Sequence, residues 1–199
     1  EDMLTLGSLE KKEQSLDIQP VHIPNLLRHT LFDLEEKAQQ NEDKLMIHLD
    51  NLVTQKSIEI DGIKFRQLVR HLLGNAVKFT RNGRIYSSIY LENTAQGLVL
   101  KLDVSDNGIG FPEEHKAIMF EAFKQRDTSF TREFDGLGIG LTICNDIIQL
   151  MQGRLEIMDN SPKGTIINCS IPVGQVIDTN QIDKASVDLE HINQPVKVL

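Results

Sequence analysis

Two hairpin patterns narrow the possible folds more than any other feature of the chain. Residues 84–92 and 97–105 read as strands separated by a polar stretch around 93–97. Residues 154–159 and 165–172 read as a second pair, joined by the turn Asn160-Ser161-Pro162-Lys163-Gly164. Around them lie amphipathic helical patterns over 24–40, 63–79 (with Asp61 as N-cap), 112–123 and 141–151, the last closed by Gly153 as a C-cap. Residues 45–52 alternate enough for one more strand. The order of helix, strand, helix, two strands, helix, loop, helix, two strands predicts an α/β (α+β) two-layer sandwich: a mixed, mostly antiparallel sheet covered on one face by helices.

With 199 residues and a hydrophobic fraction of 40%, the chain can build one well-buried core but not two large domains. The 29 acidic and 21 basic residues leave a net charge of -8, which argues against a nucleic-acid surface and still permits a small phosphate pocket. Two isolated cysteines, Cys144 and Cys169, form no disulfide framework or metal cluster, and a reducing cytoplasmic compartment fits them. No apolar run is long enough to span a bilayer, and no signal peptide is visible. The first residue is Glu1, not Met, so a fragment of a longer protein is expected, with any membrane anchor outside it. Residues 1–16 look like the end of a longer helix that needs a partner. Residues 174–194 are polar and read as a linker, and 195–199 look like the start of another strand.

Four constellations carry chemistry. On the helix over 63–79, Phe65, Leu68, Val69, Leu72, Leu73 and Ala76 form the apolar face. His71, Asn75 and Lys78 fall within a sector of roughly 60° beside that face. An amide oxygen there can ligate Mg²⁺, an ammonium can contact phosphate, and an imidazole can take a proton; a solvated helix edge would show the same spacing. Next, Asp106-Asn107-Gly108-Ile109-Gly110 follows a strand, so its glycines allow close approach to a ligand and its aspartate can accept from an exocyclic amine. A tight turn capped by Asp would look the same. Third, Gly136-Leu137-Gly138-Ile139-Gly140-Leu141 opens a helix, where freed N–H groups and the helix N-terminus favour an anion. It lacks both the βαβ context of a dinucleotide fold and the G-K-[ST] ending of a P-loop. It follows the polar stretch 124–135, which reads as a mobile lid. The fourth, Lys163-Gly164-Thr165, is by itself only a hairpin turn.

Taken together and in this order, with Phe120-Glu-Ala-Phe123 between them, these segments resemble the N, G1, F, G2 and G3 boxes of the sensor histidine kinase catalytic domain, a member of the GHKL (Bergerat-fold) ATPase superfamily. The resemblance covers about residues 20–174. It implies domains at 1–18 (the end of a dimerisation helix), 19–174 (the catalytic and ATP-binding domain), 175–194 (a linker) and 195–199 (the start of a following domain, a receiver), hence a hybrid kinase parent. Asn75 would bind Mg²⁺ through the triphosphate, Lys78 would contact phosphate, and Phe79 would flank the nucleotide. Asp106 would read the adenine amine, with Gly108 and Gly110 giving the base room and Thr165 assisting through water. Gly136, Leu137, Gly138, Gly140 and Leu141 would wrap the phosphates beside Phe123, and Arg132 in the lid would offset γ-phosphate charge.

The implied reaction is transfer of the γ-phosphoryl group of Mg-ATP to a histidine on a dimerisation domain, in a two-component phosphorelay. The parent would be a homodimer with a cytoplasmic catalytic domain, anchored in the bacterial inner membrane. None of the six histidines sits in the expected phosphoacceptor motif. His71 stands where many such kinases have Asn and where ATPase relatives have a water-activating Glu, so a catalytic role in polarising the acceptor is expected of it and an ATPase of the gyrase type is disfavoured. Asp135 and Leu137 depart from the family pattern beside the triphosphate. They motivate an alternative, a degenerate kinase domain that regulates a partner kinase by contact.

Overall fold

The computed structural model describes residues 15–110 and 139–178. Its elements are β1 (Gln19–Val21), α1 (Ile23–Gln40), β2 (Lys44–Leu49), α2 (Asn51–Gln55), β3 (Lys56–Ile60), α3 (Gly62–Phe79), β4 (Arg84–Thr94), β5 (Gly97–Asp106), α4 (Ile139–Leu150), β6 (Arg154–Asp159), β7 (Thr165–Pro172) and β8 (Val176–Asp178). Five strands form one sheet in the order β2-β4-β5-β7-β6, in which only β2 and β4 run parallel. α1 packs on β2, α3 on β4 and β5, and α4 on β6, while α3 also touches both neighbouring helices. The two-layer arrangement expected from the hairpins is therefore present.

Alternation along the strands explains the layering. Leu100, Leu102 and Val104 of β5 and Ile167, Cys169 and Ile171 of β7 are buried on the helix side. Lys101, Asp103 and Ser105 point the other way, where Tyr90 Oη donates to Asp103 at 3.0 Å and Lys101 Nζ donates to Ser170 Oγ at 2.8 Å. The helix-side layer receives Phe65, Leu68, Val69, Leu72, Leu73 and Ala76 of α3, all of them buried. Cys144 and Cys169 are free and buried in this layer, and burial pushes both thiols well above their ordinary pKa.

Three local expectations need correction. The strand read over 45–52 ends at Leu49, because Asn51–Gln55 turns into α2 and Lys56–Ile60 then forms β3, which the sequence did not announce. β3 is the middle of a second sheet, β1-β3-β8, whose outer strands have three residues each. So Val176–Asp178, inside the stretch read as linker, is a strand held by pairing with β3 and by the Lys56–Asp178 ion pair. Strands this short carry no periodic signal; they exist through distant partners.

The third correction is at the end of α4. Gln152 N–H bonds Gln149 O at 3.0 Å and Gly153 N–H bonds Ile148 O at 2.8 Å, which is a Schellman closure with Gln152 in the left-handed position at φ 55°. Gly153 is one residue later and serves close approach, since a Cβ there would lie 2.6 Å from Ser170 O. Gln152→Gly should therefore stabilise the domain by about 0.5–1 kcal/mol by relieving the positive φ, read as a rise in the urea midpoint at constant m. The helix expected over 112–123, the lid over 124–135, residues 1–14 and 195–199 lie outside the described residues.

Candidate functional site

α3 is the organising element. Asp61 caps it, accepting from Lys64 N–H at 3.0 Å, and the helix closes at Thr80. His71 and Asn75 emerge half-buried at the margin of its apolar face, while Lys78 and Phe79 are exposed at the last turn. Lys78 Nζ sits 5.0 Å from the centroid of the Phe79 ring.

The first turn of α4 faces this margin. A Cβ on Gly140 would lie 3.4 Å from His71 Nδ1 and 3.8 Å from Asn75 Oδ1. With glycine there, no side chain stands between α4 and the two polar groups. The Leu141 side chain, by contrast, is buried in the core, which leaves only its backbone to face a ligand. Gly136, Leu137, Gly138, Phe123 and Arg132, like Asp135, lie outside the described residues.

The C-terminal end of α3 abuts the loop after β5. Ile109 N–H donates to Phe79 O at 3.1 Å. A Cβ on Gly108 would overlap Phe79 O and lie 2.8 Å from Thr80 Oγ1, so only glycine fits there. Asn107 pins the loop from the other side, its Oδ1 accepting from Arg84 N–H at 2.7 Å.

Asp106 sits at the end of β5, 7% exposed, in register with Thr165 of β7. Its Oδ1 accepts from Gly108 N–H at 2.9 Å, and the Thr165 backbone also donates to the carboxylate. Burial raises its pKa above the ordinary carboxylate value, and these two backbone bonds oppose that rise. Thr165 is buried beside it. Gly110, at φ 70°, lies against Gly164, at φ 120°. Asn160 Nδ2 completes the corner by donating to Asp106 O at 2.7 Å. An open cleft of about 310 Å³ runs between Ile109–Gly110 and the turn at 159–164.

The structure therefore joins His71, Asn75, Lys78, Phe79, Asp106, Gly108, Gly110, Gly140 and Thr165 around one helix. Asn107, Asn160 and Thr80 were not singled out from sequence. The Asx-type turn after β5 is a local signal for Asp106, whereas the reach of Asn107 across 23 residues and of Asn160 across 54 has none.

A half-buried amide beside Gly140 and a desolvated carboxylate beside a glycine corner thus lie along one helix. The family model for histidine kinase-, DNA gyrase B- and HSP90-like ATPases matches residues 60–175, and the chain belongs to that family.

Among curated relatives, the chain is 32% identical over 177 residues to the circadian input-output histidine kinase CikA of Synechococcus elongatus, covering 89% of this chain and 23% of that protein. It is 38% identical over 118 residues to the autoinducer 2 sensor kinase/phosphatase LuxQ of Vibrio vulnificus, covering 58% and 14% respectively. It thus spans less than a quarter of the length of these relatives. Among solved structures it is similar to full-length ShkA in complex with AMPPNP, with TM-score 0.69 and 25% identity over 88% of this chain and 35% of that one. It also resembles the catalytic domain of histidine kinase ThkA, with TM-score 0.61 and 23% identity over 79% of this chain and 97% of that one. No helix among the described residues is long and apolar enough to cross a membrane.

Proposed function

We propose that this domain binds Mg-ATP around α3 and donates the γ-phosphoryl group to a histidine carried on a dimerisation domain outside this chain. The parent would be a dimeric hybrid kinase of a two-component system, bearing a receiver and working at the cytoplasmic face of the bacterial inner membrane. The observation that carries the reading is the convergence on the C-terminal half of α3 of Gly140, beside His71 and Asn75, and of Gly108, against Phe79 and Thr80, with Asp106, Gly110 and Thr165 behind it.

Gly140 places no side chain between its helix and the Asn75 amide, whose oxygen could ligate a hard cation. Mg²⁺ held through Asn75 would supply charge neutralisation to the triphosphate. Lys78 is placed at the exposed end of the same helix, where its ammonium can add to that neutralisation as a point charge. The Asp106 carboxylate accepts from the adenine amine, and the glycine corner at Gly110 and Gly164 leaves room for the ring. His71, adjoining Gly140, orients the accepting imidazole. Such transfer depends chiefly on positioning and charge, which is what these residues offer.

Titration of the chain with ATP, with and without Mg²⁺, tests the reading. Asn75→Ala should weaken Mg-ATP binding at least about tenfold and remove most of its Mg²⁺ dependence. No binding to the unaltered chain at millimolar nucleotide would sink the proposal. The alternative, a regulatory module without transfer, is motivated by Asp135 and Leu137. It predicts no phosphohistidine in a longer protein that includes both dimerisation helices, whereas the leading reading predicts its accumulation.

A further inference from the structure

The site helix is gripped at its start by the segment through which the chain enters the domain. Asp61 is 4% exposed, and its two carboxylate oxygens have separate tasks. Oδ1 accepts from Lys64 N–H at 3.0 Å and caps α3. Oδ2 accepts from Asp17 N–H at 3.1 Å, across 44 residues. One residue later, a Cβ on Gly62 would stand 3.1 Å from Val21 Cγ2, so the first residue of α3 lies directly under β1. β1 is meanwhile paired with β3, the strand that runs into Asp61. The incoming segment and the N-terminus of α3 thus form one hydrogen-bonded unit.

We propose that Asp61 is a positioning residue: through its bond from Asp17 it sets the placement of α3, and hence of Asn75, according to where the entering segment lies. The inference rests on nucleotide binding at Asn75. At 1.5 Å per residue, Asn75 stands about 21 Å along the helix from Asp61, so a tilt of about 3° at the capped end displaces it by about 1 Å. Displacements of that size matter where phosphates and a cation must be held in register. A strain on the entering segment would therefore reach the nucleotide site along α3.

Two substitutions cut the same bond from opposite sides. Asp17→Pro removes the donating N–H and leaves the cap on α3 intact. Asp61→Asn keeps an oxygen for the cap, where Asn serves as well as Asp, but turns an amide donor toward Asp17 N–H. Mg-ATP affinity of the full chain is measured well below the unfolding temperature, with helix content followed by circular dichroism. Each variant should bind about fivefold more weakly than wild type, and the double variant no more weakly than the worse single one, because both remove one coupling. Unchanged affinities alongside a lowered unfolding temperature would show a purely structural role and overturn the inference, as would losses that multiply in the double variant. Absence of Mg-ATP binding in the wild-type chain would instead overturn the nucleotide reading itself.

Discussion

Asp106→Asn is expected to lower ATP affinity by about 100-fold, equivalent to about 3 kcal/mol, without lowering the unfolding midpoint. The carboxylate is almost fully withdrawn from water, yet it retains acceptor capacity beyond its bonds from Gly108 and Thr165. An amide in its place turns a donor toward the adenine amine, itself a donor, and the lost contact becomes a clash of like polarity. Stability should move the other way. The fold raises the pKa of Asp106, so it favours the protonated form. The stability contributed by that group is complete below the ordinary carboxylate pKa and lost as pH rises through the elevated value. At neutral pH the wild type carries a desolvated charge that asparagine lacks. Binding titrations and urea melts of both proteins at pH 7 and in the acid range check the prediction: the gap in stability should narrow as pH falls. A large loss of stability at pH 7 would mean that the backbone bonds outweigh desolvation.

Gly164→Ala should be the more destructive change for the fold, costing about 4 kcal/mol and disordering the adenine corner with it. At φ 120° the position is strained for any L side chain, and a Cβ would overlap Asp106 O and approach Asn107 Cα to 2.7 Å. Those atoms cannot withdraw, because Asp106 and Asn107 are pinned by Asn160 and Arg84. Gly97→Ala is the matched control. It shares a positive φ of 126° but has nothing within 4 Å of the added Cβ, so it should show only the backbone strain, about 1–3 kcal/mol. Equal losses at the two positions, in denaturation at constant m, would exclude the steric argument.

The contrast between these glycines shows what a sequence can and cannot disclose. Periodicity located α1, α3, α4 and both hairpins nearly to the residue, because each has a local apolar pattern and local turn chemistry. Asp61 as a cap was equally legible, since the capping bond spans three residues. β1, β3 and β8 were not, because strands of three to five residues owe their existence to partners far along the chain. The same limit held in the site. His71, Asn75 and Lys78 share a helix and could be grouped by angle alone, and their motif order pointed to the family that the comparison bears out.

What the sequence determined by itself was thus the three long helices and the two hairpins, the layer that buries them, and the polar margin of α3. Tertiary structure alone decided that Gly140 faces Asn75, that Gly164 crowds Asp106 and desolvates it with Thr165, and that Asp17 is tied to the cap of the site helix. Each of these is a contact between segments 30 or more residues apart, and local propensity carries no term for such a contact; only packing the helices on the sheet brings its two halves together.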